Sequence, residues 1–266
     1  ASNGGKFTAV RSKITYQNNA GHGLSAGNVS LSDHTDFTAD NNGYYGVYAS
    51  SGFYMDGTST LTVTKNSYGG DCAGLKLTGG VTDGKVEKGA VVTITGNYCS
   101  GLSNNGKVTF EEGAKLTIMN NVNDKGTTSN GGGVYNSGAS ANLTLPSDAV
   151  IYNNHANTAG DDIFNNSTST ITFGSVGNNW YLDGAPDCED RIDGWYDDSV
   201  DARWEAHATE AENHIVAVNG GNYTGLLAVK AAHDLTPDVV TGLDKTSNGA
   251  DSIGQVTSGT VVPFEI

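Results

Sequence analysis

Residues 35–52 read TDFTADNNGYYGVYASSG, and this stretch decides the fold: an alternating apolar run, an Asn, a polar bend, a Gly before an apolar residue, and a closing Gly. The same order returns as SKITYQNNAGHGLSAG (12–27), STLTVTKNSYGGDCAGLKLTGG (59–80), AVVTITGNYCSGLSNNG (90–106), AKLTIMNNVNDKGTTSNGGGVYNSG (114–138) and DAVIYNNHANTAGDDIFNNS (148–167). Self-similarity at this spacing marks a repeat architecture, because a unit this small cannot cover its own apolar face and must stack on its neighbours. Between copies lie further short runs closed by turns, such as NVSLSDH from Asn28, FYMDGTS from Phe53, KVTFEEG from Lys107 and ANLTLPSD from Ala141, so each unit offers about three strands.

Within the runs apolar and polar residues alternate, the period of a strand with one covered face. Leu61, Val63, Val92, Ile94, Leu116, Ile118, Val150, Ile171 and Phe173 are therefore predicted to share one continuous core. Stacking units at about 4.8 Å lets every strand pair with its counterpart above and below, which gives a parallel β-solenoid. Asn19, Asn42, Asn66, Asn97, Asn121 and Asn154 follow the apolar runs, where a bend tolerant of left-handed backbone is needed and a stacked Asn can satisfy turn amides. Gly23, Gly46, Gly74, Gly101 and Gly133 each precede the next inward residue, whereas the sixth unit places Asp162 there, an interruption of the register.

Composition excludes several classes of function. The 266 residues carry a net charge of −15, which argues against nucleic acid or an anionic bilayer as the main partner, since both demand a basic surface. Glycine fills 37 positions and proline four, with no G-X-Y period, which excludes collagen, while the β-branched runs exclude a flexible linker. No stretch reaches the roughly 18 apolar residues of a membrane span, so no membrane insertion is expected.

The motifs GGGVYN from Gly131, YNNHA from Tyr152 and GDDIFN from Gly160 resemble the short repeats of the right-handed parallel β-helix of bacterial cell-surface adhesins. The likeness is to polymorphic outer-membrane protein passengers and to Asn/Gly-rich surface proteins of gut Gram-positive bacteria, and it covers roughly residues 7–176. It implies an all-β, right-handed parallel β-helix over 1–176, with 177–266 as an acidic, Trp-containing insertion or cap and C-terminal strands packed on the solenoid. It further implies an extracellular location, at a bacterial surface or secreted, and a noncatalytic adhesin or stalk that binds a host surface protein or glycan.

Site candidates follow from residue type. Tyr44, Tyr45, Tyr48, Tyr68 and Tyr98 near the variable loops are candidate ligand contacts, because aromatics with polar tips are favoured at interfaces; stacked-ring stabilisation of the solenoid is the plainer role. In the acidic run, Asp187, Glu189, Asp190 and Asp193 supply the oxygen ligands calcium accepts, against the plainer reading of a solvated acidic face; no other cofactor is called for. Cys72 and Cys99 lie two residues before Gly74 and Gly101, which predicts equivalent sites on adjacent rungs and leaves both sulfur contact and a disulfide open. All three tryptophans fall after Gly177, as expected for a cap on the last rung, and RWEAHATEAEN from Arg203 is the only helix-compatible run.

Two other functions are compatible with such a fold. A polysaccharide lyase or glycoside hydrolase needs converging carboxylates in one groove, but Asp161 and Asp162 are sequence neighbours that a strand would point to opposite faces. An ice-binding solenoid needs a long threonine rank. Thr62, Thr93 and Thr117 occupy equivalent positions, while Thr38 and Thr15 align only approximately, so a short rank is expected.

Overall fold

The computed structural model describes residues 4–67, 73–125, 129–147, 149–175, 192–200, 215–217 and 220–233. These residues are all-β, with no helix among them, and form a parallel β-solenoid of about six turns. One side is a six-stranded sheet built from β2 (Lys13–Gln17), β4 (Asp36–Asp40), β6 (Thr60–Thr64), β9 (Val91–Thr95), β12 (Lys115–Met119) and β16 (Val150–Tyr152), stacked in chain order.

The larger, 15-stranded sheet supplies the rest of each coil. It opens with β1 (Lys6–Val10), β3 (Leu24–Ser32) and β5 (Val47–Met55). The two long strands then split in later coils into β7 (Ala73–Leu77) with β8 (Gly84–Val86), β10 (Ser100–Asn104) with β11 (Lys107–Phe110), β14 (Val134–Asn136) with β15 (Asn142–Thr144), and β18 (Ile163–Asn165) with β19 (Thr170–Phe173). A small third sheet pairs β13 (Val122–Asn123) with β17 (His155–Ala156). The last coil is closed by antiparallel strands: β22 (Gly221–Thr224) pairs with β19, and β23 (Leu227–His233) pairs with β18 and with β20 (Ile192–Asp197), which in turn pairs with β21 (Ile215–Ala217).

Register follows the alternation. Leu61 stacks on Phe37 and Val92 on Leu61, while Val63, Ile94 and Ile118 form the neighbouring column, all of them buried. Ile171 and Phe173 are also buried. Val150 departs from the expectation: it pairs with the outward Thr117, and Ile151 pairs with Ile118 and takes the core position. In VIY two apolar residues adjoin, so alternation alone could not choose between them, and pairing with the preceding coil does. Aromatic rings close both ends of the core. Phe7, Tyr16 and Phe37 meet edge to face at 5.4–6.2 Å in the first coils, and Phe173 packs on Trp195 and Tyr223 at 5.5 and 5.4 Å in the last.

The corner residues form a continuous ladder. The side-chain amide of each Asn donates to the side-chain oxygen of the next: Asn19 to Asn42 at 2.7 Å, Asn42 to Asn66 at 2.8 Å, Asn66 to Asn97 at 3.1 Å, Asn97 to Asn121 at 2.8 Å and Asn121 to Asn154 at 2.9 Å. Each of those oxygens also accepts the backbone N–H of the Asn below, at 2.9–3.2 Å. The left-handed residue is the one before each ladder Asn, not the Asn itself: Asn18, Asn41, Lys65, Gly96, Asn120 and Asn153 all have φ between 52° and 65°. The glycine at each corner leaves room for the ladder. A Cβ on Gly46 would stand 2.7 Å from the Asn66 amide nitrogen, and one on Gly101 would stand 2.7 Å from that of Asn121.

Two stability outcomes are expected. Asn66→Ala strands the backbone and side-chain N–H groups of Asn42 in a buried site, so a loss of about 2–4 kcal/mol is expected in urea denaturation. Among the residues that immediately precede a ladder Asn, Lys65 is the one that is neither Asn nor Gly, so Lys65→Asn is expected to raise stability by about 0.5–1 kcal/mol in the same measurement.

Candidate functional site

With the core fixed, outward positions of equivalent register line up along the solenoid. On the larger sheet one such column reads Ser25, Tyr48, Lys76, Ser103, Tyr135 and Phe164. At its start Tyr44, Tyr45 and Tyr48 surround His22. The His22 and Tyr45 rings are parallel within 8° at 5.1 Å, Tyr44 and Tyr48 lie 5.6 and 6.2 Å from His22, and Tyr45 and Tyr48 are 5.4 Å apart. Three of the five candidate tyrosines thus share one patch, together with a histidine that sequence reasoning did not select. The signal was present, since His22 and Tyr45 both immediately precede a ladder glycine. Tyr44 is 42% exposed, and partial burial among the rings holds the His22 pKa below its ordinary value.

Tyr98 belongs elsewhere. It is exposed on a later coil with the Lys125 ammonium 5.9 Å from its ring centre, and Lys125 also donates to the Ser67 carbonyl two coils away. Tyr68 lies outside the described residues.

Farther along the column, Lys76 is half-buried and donates to Ser103 Oγ at 2.9 Å and to the Asn105 side-chain oxygen. Asn105 continues to the Ser137 carbonyl, and Asn166 reaches Ser137 Oγ at 2.9 Å. Desolvation pushes the Lys76 pKa down to about 8. Tyr135 and Phe164 end the column as a stacked pair, 5.6 Å apart and within 12° of parallel. The face therefore runs from rings, through a short polar network around one amine, to rings again.

Carboxylates converge elsewhere on the surface of the same sheet. Lys85 bridges Glu111 at 2.9 Å and Glu87 at 3.4 Å, and Tyr54 is hydrogen-bonded to Glu87. The hydrogen bond from Lys85 holds Glu111 below the usual carboxylate range and the bond to Glu111 raises Lys85, as in an ordinary solvated ion pair. Asp161 and Asp162 diverge as the alternation requires: Asp161 lies 3.3 Å from His155, and Asp162 is buried.

On the six-stranded sheet Thr15, Thr38, Thr62, Thr93 and Thr117 pair in exact register, a rank of five that is longer than expected and ends at Val150. Charged residues flank it at Lys13, Asp36, Asp40 and Lys115.

Of the acidic run, Asp187, Glu189 and Asp190 lie outside the described residues, and Asp193 is described only in the backbone of β20. Among the described residues no three His, Cys, Asp or Glu side chains are grouped to hold a metal. Cys72 and the run from Arg203 to Asn213 also lie outside them. Cys99 is buried, its sulfur 3.8 Å from Asn123 Oδ1, and the residues that follow the two cysteines, Ala73 and Ser100, are paired on adjacent strands.

Comparison with protein-family models, with curated proteins and with solved structures finds no match to this chain.

The Lys76 amine gives a pH-dependent expectation. Its pKa is lowered in the fold, so the cost of holding it charged is complete below about pH 8 and disappears as pH rises toward the unfolded value of 10.5. Lys76→Met is expected to be about 1–2 kcal/mol more stable than the parent in urea at neutral pH, with the difference shrinking by about pH 10.

Proposed function

We propose that this chain is a noncatalytic, extracellular binding segment of a bacterial surface adhesin, and that it engages a glycan or host surface protein through the outer column of the larger sheet. The observation that carries this reading is the His22, Tyr44, Tyr45 and Tyr48 patch, in which exposed His22 and Tyr44 and half-buried Tyr45 and Tyr48 form a preassembled platform at the head of a polar, in-register face. Rigid rings are efficient contacts, because they contribute large area and lose little rotamer freedom on binding. Lys76, Ser103 and Asn105 extend the platform with donors and acceptors at successive coils, and Tyr135 offers a second ring. The net charge of −15 favours neutral or basic partners over nucleic acid.

A carbohydrate-active enzyme on the same fold is the alternative. The Glu87, Lys85 and Glu111 cluster is the one feature that favours it, but the lysine neutralises both carboxylates and all three side chains stand at the surface. The rank of five threonines favours ice binding as a third reading, which the charges at Lys13, Asp36, Asp40 and Lys115 weigh against.

Screening the chain against a glycan array and against host-surface extracts tests the proposal directly. The double variant Tyr45→Ala/Tyr48→Ala is expected to lose at least about tenfold in affinity for whatever ligand emerges, with the thermal midpoint nearly unchanged because these rings lie outside the core. Undiminished binding by that variant would place the ligand elsewhere, and cleavage of an offered glycan that is lost in Glu111→Gln would favour the enzyme.

A further inference from the structure

One column of strands in the larger sheet is open at both of its ends. It starts at β1 and runs through β3, β5, β8, β11, β15 and β19 to β22, and among the described residues β1 pairs only with β3 and β22 only with β19. A parallel strand directs the main-chain groups of alternate residues to one neighbour. On β1 the bonds to β3 begin at the Gly5 carbonyl, which accepts from Gly27 at 2.7 Å, and end at the Arg11 N–H, which donates to Ser32 at 3.1 Å. The intervening Lys6, Thr8 and Val10 therefore turn their N–H and C=O groups to the open side. At the far end Gly225 donates to the Ser169 carbonyl at 3.1 Å, so by the antiparallel alternation Asn222 and Thr224 turn theirs outward from β22.

Apolar exposure is concentrated at the same two ends. The three most exposed large hydrophobic side chains among the described residues are Leu226 at 66%, Val200 at 53% and Val10 at 52%. Val10 closes β1, Leu226 follows β22, and Val200 lies just past β20. In the first coil the inward Phe7, Ile14 and Tyr16 are only half-buried, whereas their register partners Val29, Phe37 and Ala39 one coil on are enclosed.

The ends also differ in the sign of their charge. Residues 1–32 hold Lys6, Arg11 and Lys13 and no Asp or Glu, whereas residues 177–266 carry 16 of the 29 acidic side chains and four of the 14 basic ones. Asp193 and Asp197 of that acidic stretch stand on β20, which the last coil holds through β23. Arg11 and Lys13 are shared with Asp33 and Asp36 of the second coil, while Lys6 has no carboxylate partner among the described residues.

We propose that a second copy of this chain is the partner of both ends: the β22 edge of one molecule takes the β1 edge of the next, so that copies stack head to tail along the solenoid axis. β1 runs in the direction of β19, so the new pair is antiparallel, as β19 and β22 already are. The pairing gives partners to the outward main-chain groups of β1 and β22, covers the half-buried first coil, and sets the basic end of one copy toward the acidic end of another. A two-fold contact between two β1 edges would instead bring two basic coils together. Because the contact uses two different surfaces and leaves one free on each terminal copy, it propagates rather than closes.

Sedimentation velocity of the intact chain at low ionic strength, from about 10 µM to about 1 mM, tests it. Species larger than the monomer are expected to grow with concentration, and the association constant is expected to fall at least about tenfold when about 0.5 M salt screens the charged ends. Thr8→Pro removes an outward N–H from β1 and Asn222→Pro one from β22, each leaving the bonds to β3 and β19 in place. Either variant alone is expected to be monomeric. An equal mixture is expected to form dimers and nothing longer, because one variant keeps its β22 edge and the other its β1 edge. A chain that is monomeric at every concentration, association indifferent to salt, a single proline variant that still polymerises, or a mixture that forms no dimer overturns the proposal. Should a proline variant fail to fold, Lys6→Glu decides, since it leaves the backbone intact: a loss of about tenfold or more in association constant supports head-to-tail stacking, and any smaller loss refutes it.

Discussion

A buried amide at each ladder corner from Asn42 to Asn154 is the constraint on which this solenoid depends. A polar group enclosed without a partner costs of the order of 1–3 kcal/mol, so an inward-pointing Asn is tolerable only when the coils above and below supply its acceptor and its donor. One ladder oxygen receives two N–H groups, which fixes the height of the next coil and also its rotational phase. The glycine over each amide and the left-handed residue before it follow from that placement, since neither a Cβ nor an ordinary bend fits there. Coil length is free where the ladder does not act: successive ladder Asn residues are separated by 23, 24, 31, 24 and 33 positions, yet their amides keep the same contact.

A second ladder emerges where the coils begin to carry it. Asn104 donates to Asn136 at 2.8 Å and Asn136 to Asn165 at 2.6 Å, at positions held in earlier coils by Leu77 and Ala49. It too is terminated by the C-terminal strands, because Asn165 donates to the Gly225 carbonyl at 2.7 Å. The two ladders end in complementary ways. One needs an acceptor for its last donor and finds a backbone carbonyl, and the other ends on the Asp162 carboxyl, which also captures the Ala231 N–H of the cap. Trp195 and Phe173 seal the apolar column between them. The cap is thus joined to the solenoid by the same hydrogen-bond currency that joins one coil to the next, with strand direction reversed.

The outer faces inherit their order from this interior. Register places His22 over Tyr45, and Tyr48 in line with Lys76 and Ser103, although these residues belong to different coils. Sidedness also separates groups that the sequence set together: Tyr98 joins Lys125 rather than the tyrosine patch, and the adjacent Asp161 and Asp162 serve surface and interior respectively.

The sequence by itself determined the parallel β-solenoid, its six-fold repeat, the corner asparagines and most of the core, because alternation at period two and recurrence at coil length are written directly in residue order. It also singled out Tyr44, Tyr45 and Tyr48 as aromatic and placed near bends. What it left undecided were choices among chemically similar neighbours and among distant coils. Val150 or Ile151 could face inward by composition, and pairing with Thr117 and Ile118 settles the matter. Thr15 and Thr38 extend the threonine rank only once strands are aligned to the residue. His22 becomes part of an aromatic patch only when the next coil is laid over it. Asp162 reads as a flaw in the repeat until the cap strand stands beside it, and then proves to be the residue that the end of the ladder requires. In each case the deciding interaction runs between coils more than 20 residues apart in the chain or from the last coil to its cap, a proximity that only the folded stack creates.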